Sequence, residues 1–310
     1  MTGDAALGAV ARPEAGLMNT ARKSTSAPTK DIHITYLLHL ADNALVLGQR
    51  NAEWCGHGPV LEEDIAMANI SVDLIGQARM LYQHAASLKG DGATEDTLAY
   101  FRDAPDFRNF TLLELPHSVP GSLSGSVQNG DVGSDTDSST ERDYAVTIVR
   151  NFLFSALMVL RWEALKQSTD AQLAAIAERS VKETRYHLRH SRDWLVRLGD
   201  GTTESHAKTQ AAWDYLLPYS REFWTDFAVE TELVAHGIGV ETPSLRDAWH
   251  GQVNQAAQEA TLPPALAVAA TKKVPVTAFP QGKLGDHSPH LAPLLADMQS
   301  LARQHPGATW

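Results

Sequence analysis

The sequence predicts an all-α fold, a helical bundle with a long crossover and additional C-terminal helices. Three observations carry this expectation. Apolar residues recur at steps of three and four through four long segments. The segments fall into two pairs, parted by a stretch dominated by Ser, Gly and Asp. Strand-like alternation is not evident; Thr271–Phe279 has extended character, and Pro275 limits it to an edge.

In chain order, residues 1–30 are rich in Ala, Thr, Ser, Gly and Pro and have no apolar h-region, so they read as a disordered tail and not a secretory signal. In Asp31–Arg50 the periodic positions are Ile34, Leu37, Leu38, Ala41, Leu45 and Gly48. In Val60–Ala86 the stripe is Leu61, Ile65, Ala68, Val72, Ile75, Arg79 and Tyr82. Glu62, Glu63 and Asp64 stand in its first turn, where the helix dipole favours anions. Residues Ser118–Arg142 lack any aromatic side chain and cannot bury enough apolar area to offset their ordering entropy, so 118–142 reads as a flexible insertion.

Asp143–Gln167 contains VTIVRNFLFSALMVLRW, which reads as a buried helix and not a membrane span because it carries two Arg. Ala171–Leu198 continues through Leu173, Ile176, Val181, Tyr186, Leu188, Trp194 and Leu195, with Asp170 as N-cap and Gly199 as C-cap. Further helices are expected at Ser205–Glu232, at Ser244–Ala257 with a Ser244/Asp247 capping box, and at Pro289–Gln304 with Ser288 as cap. Two helix pairs joined by a long crossover form the ferritin-like arrangement, here a single domain over 31–310.

Composition narrows the function. The 310 residues carry 26 Lys plus Arg against 37 Asp plus Glu, a net charge of −11, which disfavours a non-specific nucleic-acid binder. No apolar run approaches the ~20 residues of a bilayer span, so no membrane partner is expected. The single cysteine, Cys55, excludes an internal disulfide framework and Cys-rich metal sites. The chain reads as cytoplasmic.

A ferritin-like core commonly holds two iron or manganese ions. Two helices then supply one carboxylate each and two supply Glu-x-x-His, because residues three apart share a helical face. The four helices contain no Glu-x-x-His. Glu183 and His187, four apart, can share a face, with Asp73 as a nearby acid in the second helix; this leaves an alternative reading as a di-metal oxygenase subunit with unusual ligands.

Several separated stretches resemble a known family. They are Leu45–Pro59 (LVLGQRNAEWCGHGP), Leu61-Glu62, Ala68-Asn69, Asp73–Arg79, Asp96–Asp103, Lys182-Glu183, Arg185–Arg189 and the closing Pro289–Trp310. In this order they are similar to the PaaC subunits of bacterial phenylacetyl-CoA epoxidase, over about residues 33–116 and 143–310. The resemblance implies a ferritin-like bundle acting as a non-catalytic structural subunit without a cofactor of its own. It would pair with a PaaA-like catalytic subunit whose di-iron centre epoxidises the ring of phenylacetyl-CoA. A reductase component fed by NADPH and a small bridging subunit would complete the complex. The sister's ligand positions fall on Ala44, Leu74, Gln77, Phe154, Thr184 and His187, so only His187 keeps a ligating type.

Candidate partner contacts are Gln49, Arg50, Glu53, Trp54, Glu183, Arg185 and Arg189. The Gln49–Gly58 segment reads slightly better as internal structure packed by its own Trp. Lys272, Lys273 and Lys283 are candidate contacts for CoA phosphates, although a solvated loop is the simpler reading of such a charge pattern.

Overall fold

The structure, a computed structural model, describes residue 1 and residues 30–120, 142–265 and 279–308. The tail (apart from Met1 and Lys30), almost all of the 118–142 insertion, nearly all of Thr271–Phe279, Lys272, Lys273 and Trp310 lie outside the described residues. Among the described residues the regular elements are all helical. They are α1 (Lys30–Ala52), α2 (Leu61–Lys89), α3 (Glu95–Tyr100), α4 (Tyr144–Leu165), α5 (Ala171–Gly199), α6 (Thr203–Leu216), α7 (Ala228–Ala235), α8 (Arg246–Glu259) and α9 (Leu291–Gln304).

Helices α1 and α2 form one hairpin and α4 and α5 another. Gly48 sets the spacing of the first: a Cβ there would meet Ile75 Cγ1 at 3.1 Å and Leu74 Cβ at 3.3 Å, so the side chain's absence lets the two backbones approach. The hairpins are joined along α2 and α5, and across α1 and α4 by reciprocal amide hydrogen bonds between Asn51 and Asn151 at 2.8 and 2.9 Å. Trp54, just past α1, donates from Nε1 to Thr147 Oγ1 of α4 at 2.8 Å.

Helix α4 is the most enclosed. Against the expectation that no apolar run approaches bilayer length, it is long and apolar enough to cross a membrane, but 89% of its most apolar window is buried by the rest of the chain. Helices α6 and α8 pack on it, and Trp249 of α8 donates from Nε1 to the Leu153 carbonyl at 3.1 Å. Asp170 caps α5 as expected, accepting from the backbone N–H of Gln172 and Leu173. Gly199 is the last helical residue and not the cap. Its lack of a side chain serves a close contact, since a Cβ would lie 2.4 Å from the Ala260 carbonyl oxygen.

Four further expectations are corrected. The single helix expected over Ser205–Glu232 is broken into α6, a 3-10 stretch Leu217–Trp224, and α7. Pro218 is the cause: it has no N–H for an intrahelical bond and its ring crowds the preceding turn. The Ser244/Asp247 capping box does not form; Ser244 Oγ donates to the Glu241 carbonyl, and α8 starts at Arg246 with no side-chain cap. Ser288 does not cap α9, whose N-cap is His290. Finally, most of the stripe read along α2 faces outward, with Tyr82 at its end buried. Leu61, Ile65 and Val72 are 71, 53 and 68% exposed, while Met67, Ile70, Leu74, Ala78 and Leu81 face the core. Two apolar faces run along one helix, and periodicity alone does not say which of them the chain covers.

Candidate metal centre

The six positions onto which the family resemblance maps a di-metal site are all brought into the interior. Ala44 of α1, Leu74 and Gln77 of α2, Phe154 of α4, and Thr184 and His187 of α5 are each buried. Ala44 lies one turn before Gly48, on the side of α1 pressed against α2. Ala44, Leu74 and Phe154 belong to one continuous hydrophobic core. Thr184 Oγ1 donates back to the Ser180 carbonyl at 2.8 Å, which occupies its hydroxyl locally.

The polar survivors are paired across the α2–α5 seam. His187 Nε2 donates to Asp73 Oδ2 at 3.0 Å, and Gln77 Nε2 donates to Glu183 Oε2 at 3.0 Å. Further along, His190 Nε2 donates to Glu63 Oε2 at 2.8 Å, which also accepts from the Tyr144 hydroxyl at 2.5 Å. Asp73 and His187 therefore meet, but Glu183 is turned to Gln77 and to Arg179, and the three do not gather their ligand atoms around one point. A di-iron centre needs about four carboxylates and two imidazoles. One imidazole, one hydroxyl, one amide and three apolar side chains do not fit it.

Comparison with known proteins supplies the family. The model of the phenylacetic acid catabolic protein family (PaaA_PaaC) matches residues 18–310. The chain is 42% identical over 277 residues to the C component of the 1,2-phenylacetyl-CoA epoxidase of Escherichia coli (strain K12), covering 89% of this chain and 98% of that one. The chain belongs to the phenylacetic acid catabolic protein family.

This family member does bury carboxylates elsewhere, in a collar on another side of α1. Asp42 accepts from the Tyr82 hydroxyl at 2.6 Å, from Arg108 N at 2.8 Å and from the Arg102 guanidinium. Glu114 accepts from His287 Nδ1 at 2.5 Å, Ser288 N at 2.8 Å and Asn109 Nδ2 at 3.0 Å. Burial alone would lower the His287 pKa, but the Glu114 hydrogen bond and charge, with the Phe107 carbonyl on the other ring nitrogen, raise it. Glu230 pairs with Arg161 and accepts from Thr242 Oγ1 at 3.1 Å. Glu222 accepts from Thr111 N and Lys283 N at 2.8 and 3.0 Å, and burial pushes it up to about 7. Sequence reasoning missed this collar. Its available signals were Asp42 within the apolar run of α1 and Arg161 within that of α4.

The partner candidates separate by exposure. Trp54 is buried against Tyr144 and His117, and Arg50 is buried with Nε and Nη2 donating to the Glu114 carbonyl. Gln49 and Glu53 are half-buried. Burial would raise Glu53, but the hydrogen bond from His117 and the Arg50 charge bring it down to about 2. Arg185 and Arg189 are exposed, Arg185 pairing with Glu163 and Arg189 lying over the Tyr186 ring, while Glu183 is half-buried. Of the candidate phosphate contacts, Lys283 is corrected. Its side chain is buried, Nζ donates to the Thr225 carbonyl at 2.6 Å, and burial brings it down to about 8. An ammonium committed to an interior carbonyl does not reach a phosphate in solvent.

Proposed function

We propose that this chain is the structural, non-catalytic subunit of a phenylacetyl-CoA epoxidase. In this reading it is a ferritin-like bundle that pairs with and stabilises a catalytic di-iron sister in phenylacetate degradation. The observation that carries the reading is the filling of the centre. Ala44, Leu74 and Phe154 occupy ligand positions, and their burial is favourable by roughly 25 cal/mol per Å² of apolar area. Carboxylates placed there without cations would be unpaired buried charges.

The outward face of α2 supports the pairing role. Leu61, Ile65, Ala68, Val72 and Ile75 follow one another at steps of four, three, four and three, the spacing of a helix–helix seam, with Glu62, Asp64 and Asn69 beside it. A second helix laid on this face would bury it, which suits a bundle of the same family. The reductase and small bridging subunits belong to the same expected assembly.

Two measurements test this. Co-expression with a di-iron sister subunit should yield a stoichiometric complex through size-exclusion chromatography. Anaerobic loading of the isolated full chain with ferrous iron, followed by exposure to air, should leave no dinuclear iron in it. Two irons per chain, lost on His187→Gln, would overturn the proposal, as would failure of the two subunits to co-purify.

A further inference from the structure

At the end of the α2–α5 seam, away from Leu74 and His187, three side chains from three helices converge. His33 comes from the first turn of α1, His84 from near the end of α2, and Asp170 caps α5. Both imidazole Nε2 atoms approach the same carboxylate oxygen, Asp170 Oδ2, at 2.9 Å for His33 and 2.6 Å for His84. One ligand atom from each residue lies within 4.8 Å of the other two, and among the described residues this is the one such group of three His, Cys, Asp or Glu side chains.

The chain's own hydrogen bonds account for only part of this arrangement. His84 donates to Asp170 Oδ2, whereas His33 Nε2 is buried beside the same oxygen and makes no hydrogen bond of acceptable geometry among the described residues. His84 Nδ1 is likewise buried without a partner, so that ring's polar commitment lies at Nε2. The other carboxylate oxygen, Oδ1, is held by the N–H groups of Gln172 and Leu173, which fixes the carboxylate and leaves Oδ2 to the two imidazoles.

We infer that His33, His84 and Asp170 bind one first-row divalent transition-metal ion, with zinc(II) the best fit. Two imidazoles and a carboxylate are a common three-ligand set for zinc, water completing the tetrahedron. With metal–ligand bonds of about 2.0–2.2 Å, tetrahedral ligands stand roughly 3.4 Å apart. The short edges at Oδ2 therefore open by less than an ångström from 2.6 and 2.9 Å. The site is mononuclear and separate from the filled centre. Its ion ties the start of α1, the end of α2 and the turn between α4 and α5 into one clasp.

The test uses the full chain without a polyhistidine tag, stripped with a chelator and titrated with zinc chloride. Expected are one zinc per chain by calorimetry, a rise in Tm on loading, and the visible d–d bands of four-coordinate cobalt(II) when cobalt replaces zinc. His33→Gln and His84→Gln should each weaken binding at least ~100-fold while helical circular dichroism is retained, and His187→Gln should leave it unchanged. Asp170→Asn, which preserves an N-cap acceptor, should also lose the ion. Zinc binding unaffected by both histidine variants, or no tetrahedral cobalt spectrum in the unaltered chain, overturns the inference. Because neither readout involves iron or a partner, its failure is distinguishable from failure of the proposed function.

Discussion

The two sides of α1 handle buried charge in opposite ways. The side carrying Ala44 and Gly48 meets Leu74 and Ile75 of α2, and there the packing is hydrocarbon. In the collar, the same helix supplies Asp42, buried and surrounded by Tyr82, Arg102 and the Arg108 N–H, and the neighbouring segments bury Glu114, Glu222 and Glu230. The chain therefore does not avoid interior carboxylates in general. It keeps them where donors are built in, and leaves hydrocarbon where Ala44, Leu74 and Phe154 lie.

The most demanding test of this contrast is to return an acid to the centre. Leu74→Glu places a carboxylate in the hydrophobic core where α2 meets Gly48, and should cost about 3–5 kcal/mol by urea unfolding, or hold the new glutamate protonated at neutral pH. Leu74→Met, which conserves volume, should cost less than about 1.5 kcal/mol. Equal costs for the two would mean that the centre is wetter or more adaptable than its packing implies.

The collar offers the next largest effect. Glu222 lies at about 7 in the folded chain, against an ordinary value of 4.5. The folded state then binds more protons than the unfolded state between those values. Its contribution to stability is fully present below about 4.5 and is lost as pH rises through about 7, roughly 3 kcal/mol in all. His117 runs the other way: burial lowers it to about 4 from 6.5, so its contribution is present above 6.5 and is lost as pH falls through about 4. The two slopes oppose each other in the parent chain. Glu222→Gln should remove the first and leave stability rising with pH between about 4 and 6.5. An unchanged pH profile would show that Glu222 is not the group that titrates.

The smallest effect on stability belongs to the outer face of α2. Val72→Arg should change the unfolding free energy of the isolated chain by less than about 0.5 kcal/mol, because the side chain is 68% exposed. In the co-purification assay the same substitution should abolish pairing with the sister subunit. A variant that still pairs moves the partner surface to another face.

Much of the scaffold was legible because long helices announce themselves by period. The predicted starts and ends of the four long helices fall within three residues of those observed for α1, α2, α4 and α5, and Asp170 signals its cap directly. What periodicity lacks is the identity of the neighbour. It could not say that α2 has two apolar faces of which the chain covers one, nor that α1 is enclosed nearly all round. Pro218, whose missing N–H breaks the helix expected over Ser205–Glu232, is a local signal that reading by period passes over. The positions Ala44, Leu74, Gln77, Phe154, Thr184 and His187 came from the family resemblance and not from period, whereas the meeting of His33, His84 and Asp170 was not legible at all. These residues are 51 and 86 positions apart, and only tertiary packing brings them together.

The concealment of α4 also constrains the order in which the chain can be made. Its apolar surface is covered by α5, α6 and α8, all of which follow it in the sequence. From Leu165 to the end of α8 at Glu259 is 259 − 165 = 94 residues. At about 5–20 residues per second a ribosome needs roughly 5–20 s to deliver them. Until α5, α6 and α8 have all arrived, part of a greasy rod of membrane-spanning length stays uncovered, so its safe passage depends on whatever shields such a rod during synthesis.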